Sequence, residues 1–466
     1  MRLVNWGWVA FALAAVVFLA IKIDAAGYAA SDENTYYKMG QLIAAGEVPY
    51  VDFFFAHPPL QAYMYAVVFK LFGFNLGILK FLSAAAAVIA AFFVFRLLNE
   101  KSQIAAVTAI LLFFFTHAIL LFTSFPTGTE FVMMFSAAGF YYFHKKRSVV
   151  SGVLLGFGAI TGLLALIPAA VMAGWLLIRG LGEFRKFMMG FLAVFATVNA
   201  LFLAITRGDY VTQTITYHLL KPEGVLDKAA VITRVVTRNW LILAASATAV
   251  FAKSKFRRQV AVPFFIIAAC VAVFLFMKTF FDYYILNMLP FLAILAGQGI
   301  SGIIETFRVR RVLAYGSVLA VMAVVGFLNY GSFAANDAYD FENAREIANF
   351  VKENSDEGEL VFGEDATAPL ISLLSERGIA LDFVDSNDLR FRTGMEDADS
   401  VINKLRGNLK FFLVRSLDFG EGVKLGYGVG TLPEFDAFIK EDCAVAKKFE
   451  TPWKGRVKEY YVYDCG

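Results

Sequence analysis

The chain has 466 residues, of which 59% are hydrophobic and 16% aromatic, with a mean hydropathy of +0.63 and a formal net charge of +3. This composition excludes a soluble globular protein and describes a polytopic, α-helical membrane protein. The small net charge hides an uneven division: residues 1–334 carry 26 Lys+Arg against 13 Asp+Glu, and residues 335–466 carry 16 against 26. That asymmetry, with Gly and Asn around Tyr330 to Asn336, places a boundary between a membrane domain, 1–334, and a water-soluble domain, 335–466.

The first apolar run, Val4 to Ile21, is long enough to cross about 30 Å of hydrocarbon. Lys22 and Asp24 follow it without a small-residue cleavage site, so it reads as a retained helix and not a signal peptide. An outer loop, 24–76, comes next and opens on Ser31-Asp32-Glu33-Asn34-Thr35-Tyr36-Tyr37. Asp32 and Glu33 stand where water meets lipid headgroups, so their carboxylates can stay ionised and meet a lipid substrate. On a helix adjacent residues diverge by about 100°, so one acid works and the other supports, while Asp32 and Tyr36 share a face. The alternative is a capping role, with Ser31 or Asp32 starting a surface helix. The loop continues through Gly46-Glu47-Val48-Pro49-Tyr50-Val51-Asp52 to His57-Pro58-Pro59-Leu60, a stiff aromatic segment suited to lie on a bilayer. Residues 60–73 are only about 14 in number and include Lys70, which predicts an amphipathic, outer-surface or partly inserted helix instead of a span.

Apolar stretches recur at 77–98, 103–122, 128–144, 148–162, 165–179, 187–206, 236–252, 260–277, 284–303 and 312–330. With the first run they make about eleven spans, and the basic clusters then share one side: Arg2, Arg96 with Lys101, Lys145 to Arg147, Arg179 to Lys186, Lys253 to Arg258 and Arg308 to Arg311. This solution puts the amino terminus in the cytoplasm and the tail outside. Glu130, in Ser124-Phe125-Pro126-Thr127-Gly128-Thr129-Glu130, falls at the outer end of a helix. If 60–73 crosses instead, residues 77–130 invert and Glu130 moves to the cytoplasmic side. Outer-side cations and aromatics are His218, Lys221, Arg234, Arg238, Lys278 and Tyr283. Lys278 and Tyr283 also have a plain reading, as a snorkelling Lys and an interfacial Tyr.

The tail reads as a compact α/β domain: a helix within 340–353, a strand at Glu359 to Phe362, a helix near 366–375, a strand at Lys410 to Val414 and a last strand at Glu459 to Tyr463. Cys270 lies in an apolar run, whereas Cys443 and Cys465 could pair if the tail is extracytoplasmic. The tail shows no metal-spaced His/Cys cluster, phosphate loop or triad, which favours a scaffold or acceptor-selecting role over catalysis.

The order Asp32-Glu33, then Gly46-x-x-Pro49-Tyr50-x-Asp52, then His57-Pro58-Pro59-Leu60, then Leu71-Phe72-Gly73 resembles the GT-C glycosyltransferases, which include protein O-mannosyltransferases and lipid A aminoarabinose transferases. The resemblance is specific over residues 28–75 and weaker through 330. It implies a GT-C-like enzyme of the plasma membrane that takes a sugar from a polyprenyl (dolichyl) phosphate at the outer face and passes it, with inversion, to a protein, lipid or glycan acceptor. The implied partners are that donor, the acceptor and the bilayer, with no nucleic acid. Asp32 matches the catalytic aspartate of the first loop, with Glu33 in support, and Glu130 matches the second acidic position. His57 stands where relatives have a basic residue near the donor phosphate, and His218, Arg234, Arg238, Lys278 and Tyr283 are further candidates for phosphate or lipid contact. Two departures stand out. Ala56 replaces a glutamate of the aminoarabinose transferases, and Gly158 to Leu163 lacks the lysine that many relatives carry there. A divalent metal, Mg or Mn, would fall to Asp32 and Glu130 if one is used. The rival reading is a transporter or flippase for a lipid-linked glycan. It predicts mid-span charges and internal repeats, and the spans have almost none of the first and none of the second.

Overall fold

The computed structural model describes residues 6–222, 227–252, 257–307, 311–334, 340–418, 424–426, 428–453 and 456–466. Of the basic clusters, Arg2, Lys253, Lys255, Arg308 and Arg310 lie outside the described residues, as do Ala335 and Asn336 at the domain boundary. The chain divides into two compact units, one of residues 1–26, 80–202 and 223–335, the other of residues 27–79, 203–222 and 336–466.

The first unit is helical. Trp6–Asp24, Leu76–Asn99, Leu181–Thr206 and Leu289–Thr306 are long and apolar enough to cross a membrane, and shorter apolar helices accompany them. The stretch 103–122, continuous in hydropathy, forms two helices, Gln103–Phe114 and His117–Phe122. The stretch 236–252 is likewise interrupted, at Asn239, between Lys228–Arg238 and Trp240–Ala247. Backbone groups freed at such breaks need partners in an apolar setting. Asn329 Nδ2 donates to the Phe115 carbonyl (2.7 Å), and Asn239 accepts from the Ala118 amide (3.0 Å) while donating to the Val235 carbonyl (2.9 Å). Helix Ser148–Ala159 meets Leu181–Thr206 through paired glycines. A Cβ on Gly152 would lie 2.1 Å from the Phe187 carbonyl oxygen and one on Gly190 would lie 2.2 Å from that of Val149, so only glycine permits this backbone approach.

The second unit holds a six-stranded sheet: β1 (Leu360–Gly363), β2 (Gly378–Ile379), β3 (Phe411–Asp418), β4 (Lys424–Gly426), β5 (Ala444–Trp453) and β6 (Arg456–Asp464), in the order β2-β1-β3-β6-β5 with β4 on β3. β1 is parallel to both neighbours, and β6 is antiparallel to β3 on one side and to β5 on the other. Phe362, Phe412, Phe435 and Phe438 fill the core on one face. Cys443 and Cys465 are disulfide-bonded, and the β5–β6 register brings them together, since Ala444 pairs with Asp464 beside them. Helices Glu33–Ala45 and Leu60–Phe72 of the first loop pack together, with Tyr37 against Tyr65 (5.3 Å between rings). Glu33–Ala45 also packs on helix Ala368–Ser375.

Candidate active site

The site grows from the carboxyl end of β1, where parallel strands present their turns to ligands. Gly363 ends the strand at φ +154°, and a Cβ there would lie 2.1 Å from the Leu413 carbonyl oxygen, so glycine is required to release the chain into Glu364-Asp365. Thr367 Oγ1 donates to Glu364 (2.9 Å), which also receives Arg415 in a buried ion pair. Asn387 Nδ2 donates to Asp365 Oδ2 (3.0 Å), and the Asn387 amide donates to Asp385 Oδ1 (3.3 Å). Arg390 donates to the Asp385 carbonyl (2.8 Å) and to Glu396 (2.8 Å), its guanidinium lying over Phe54 and Phe383.

The first-loop helix docks onto this turn by its first residues. Asn34 Nδ2 donates to the carbonyls of Ala29 and Ala366, both at 2.6 Å, and Thr35 Oγ1 donates to that of Asp365 (2.8 Å). Asp32 is the N-cap residue by position but makes no side-chain capping bond, so its carboxylate is left for the site. Glu33 is buried. Tyr36, on the face of Asp32, brings its ring to 5.8 Å from that of His57.

The carboxylates press on one another. Asp32 is reached by solvent yet ringed by protein, and this desolvation, then the charge of Asp385, raises its pKa against the opposing pull of Lys221. Desolvation also raises Asp385, and raises Asp365 well beyond the usual carboxylate range with help from Glu364, Asp385 and Asp32. His57 is pushed far down by burial and then by His218 and Lys221; His218 is pushed down to about 4. Both imidazoles are therefore neutral at pH 7, and His218 Nε2 donates to the Ala56 carbonyl (2.8 Å). Lys221 adds a cation to the cluster: burial lowers its pKa against the opposing charges of Asp385 and Asp32, and its ammonium lies over the Tyr217 ring (4.7 Å).

Of the residues expected from sequence, Asp32, Glu33, His57 and His218 lie in this second unit. Glu130, Arg234, Arg238, Lys278 and Tyr283 lie in the first. There Glu130 is buried in the first turn of helix Thr129–His144, Arg234 pairs with Asp282 (3.2 Å), and Tyr283 stacks on Phe281 (5.3 Å). Arg238 and Lys278 are exposed. Sequence reasoning passed over Asp365 and Asp385. The available signal was a pair of acidic turns, Glu364-Asp365 and Asp385-Ser386-Asn387-Asp388, in an α/β segment. Among the described residues, no group of three or more His, Cys, Asp or Glu side chains is placed to hold a metal ion.

No family model and no curated protein matches the sequence. Solved structures do. ArnT from Cupriavidus metallidurans bound to undecaprenyl phosphate superposes with a TM-score of 0.66 at 13% identity, covering 98% of both chains, and its apo form does so with 0.68 at 14%. The Archaeoglobus fulgidus oligosaccharyltransferase, in complex with Zn and sulfate, gives 0.54 at 13% over 87% of this chain and 67% of that one. The mycobacterial arabinofuranosyltransferase AftD gives 0.54 at 13% over 98% of this chain and 40% of that one. The chain has the GT-C glycosyltransferase fold. The ArnT likeness covers residues of both units.

Proposed function

We propose that the chain is an inverting glycosyltransferase that moves a sugar from a polyprenyl phosphate to an acceptor at the outer face of the plasma membrane. The observation that carries the reading is Asp32, a carboxylate withheld from helix capping and made more basic by its surroundings, beside Lys221 and neutral His57 and His218. A general base works best with a pKa near the operating pH, and desolvation moves Asp32 toward it. In the step, Asp32 accepts the proton of an acceptor O–H or N–H. The freed lone pair attacks the anomeric carbon, the bond from that carbon to the phosphate oxygen breaks, and polyprenyl phosphate departs with the electron pair. One displacement without an enzyme nucleophile inverts the centre. Lys221 is the residue we assign to the charge of the leaving phosphate, with the imidazoles as neutral donors. The sugar and the polyprenol, dolichyl or bacterial, are open in this proposal. For Lys278, Tyr283, Arg234 and Arg238 we propose lipid or lipid-phosphate contact, and for Glu130 acceptor orientation.

The deciding experiment is native mass spectrometry of protein released from mild detergent. An adduct that fragments to a polyprenyl phosphate or its glycosyl ester supports the reading and names the sugar by mass. Folded protein that carries bulk phospholipid alone and transfers no sugar overturns it, and flux of lipid-linked glycan across vesicles becomes the next assay.

A further inference from the structure

The second unit also contains a cleft of about 690 Å³, within the size range of ligand sites. Loop 50–54, helical residues 209–213 and the segment 381–404 line it. Three of the lining residues, Tyr50, Leu381 and Asp382, hold positive φ of 70°, 60° and 49°. Non-glycine residues adopt this conformation sparingly, and it gathers at binding sites. Leu381 is also 41% exposed, and Val51 55%.

The charge of the cleft is one-sided. Asp52, Asp209 and Asp382 line it, while of its two cations Arg390 is committed to Glu396 and the Asp385 carbonyl, leaving Lys404. Such a lining repels phosphates and sulfates and accepts hydrogen bonds from hydroxyl or amine donors. None of the lining residues belongs to a strand, so the cleft offers no sheet edge to which an extended peptide could add. A pyranose, with hydroxyl edges and an apolar C–H face, suits carboxylates set beside Leu381 and Val51. Arg390 lines the cleft and also donates to the carbonyl of Asp385, so one side chain touches both the cleft and the turn that carries Asp385.

We propose that this cleft binds the acceptor, and that the part bound there is a neutral or amine-bearing saccharide whose hydroxyls donate to Asp52, Asp209 and Asp382. The assignment of the ligand as acceptor rests on the glycosyl-transfer reading; the saccharide specificity of the cleft does not.

The test is binding of the full chain, in detergent micelles, to an immobilised panel of neutral, amine-bearing, phosphorylated and sulfated oligosaccharides, with basic peptides for comparison. The expected result is capture by a neutral or amine-bearing glycan, weakened tenfold or more by Asp209→Asn and by Asp382→Asn. Thr212→Trp fills the cleft without altering charge and gives the same loss, which covers the case where a carboxylate variant fails to fold. Absence of saccharide binding at millimolar concentration, equal affinity in the cleft variants, or preference for anionic glycans or basic peptides overturns the proposal. Glycan binding in a protein that turns over no polyprenyl-phosphate sugar removes the transfer reading and leaves the saccharide site standing. Turnover without cleft-dependent binding does the reverse.

Discussion

Thr35 donates its hydroxyl hydrogen to the carbonyl of Asp365 across 2.8 Å, joining residues 330 apart in the chain. With the two bonds of buried Asn34, this clamp fixes the start of the Asp32 helix on the turn after β1. The acid named by the first loop and those of the tail thus share one electrostatic environment.

Asn34→Ala removes a donor from two carbonyls in a buried setting, at a cost of roughly 1–3 kcal/mol. A lower melting temperature with a fall in kcat is the expected outcome, because the helix that carries Asp32 loses its seat. Unchanged melting and turnover would show that Thr35 and packing suffice.

Asp32→Asn keeps the shape of the side chain and removes the base. Transfer from a polyprenyl-phosphate sugar is expected to fall by about 10²–10⁴-fold, with membrane insertion and melting preserved. Near wild-type turnover sinks the base assignment.

The pH profile carries a sign. Asp32 acts when ionised and its pKa is raised, so kcat/KM should fall as pH drops through a value above the ordinary 3.8 of an aspartate. Asp385→Asn removes a charge that raises Asp32 and should move this acid limb down; Lys221→Ala removes one that lowers it and should move the limb up. A limb unmoved in both variants means that another group titrates.

Asp365 has a folded-state pKa raised well above that of the unfolded chain. Its contribution to stability is full below the unfolded pKa and is lost as pH rises through the folded one. Asp365→Asn, which retains an oxygen for Asn387, should therefore melt higher than wild type at neutral pH, and with a flatter dependence on pH. A lower melting temperature at neutral pH would show that the carboxylate is net stabilising.

The Cys443–Cys465 bond closes a loop with a sequence separation of 22. Chain entropy assigns such a link about 3 kcal/mol, so the Cys443→Ser, Cys465→Ser double variant should unfold at distinctly lower denaturant than wild type under non-reducing conditions.

Much of the helical unit was legible because hydropathy is local: a run of apolar residues must bury its backbone polar groups in a helix wherever it meets lipid. Legibility ended where side chains from elsewhere terminate an apolar run. Nothing in 103–122 announces the break at Phe115 and Thr116, which is stabilised by Asn329 and Asn239. In the tail, β1, β3 and β6 could be read from their apolar character. The expected strand list lacked β5, whose sequence Ala-Val-Ala-Lys-Lys-Phe-Glu-Thr-Pro-Trp is largely exposed and gains its place by pairing with β6.

The sequence by itself determined the membrane class and the acidic division at the tail and singled out Asp32 as a candidate, since composition, charge and a short ordered motif need no knowledge of contacts. Only the tertiary structure decided what surrounds Asp32. That Asp385, Lys221 and Glu364 act on its charge, and that His57 and His218 are neutral, follows from burial and from approach across hundreds of residues. A pKa is set by the dielectric and the charges within a few ångströms, and no local pattern in a chain encodes that neighbourhood.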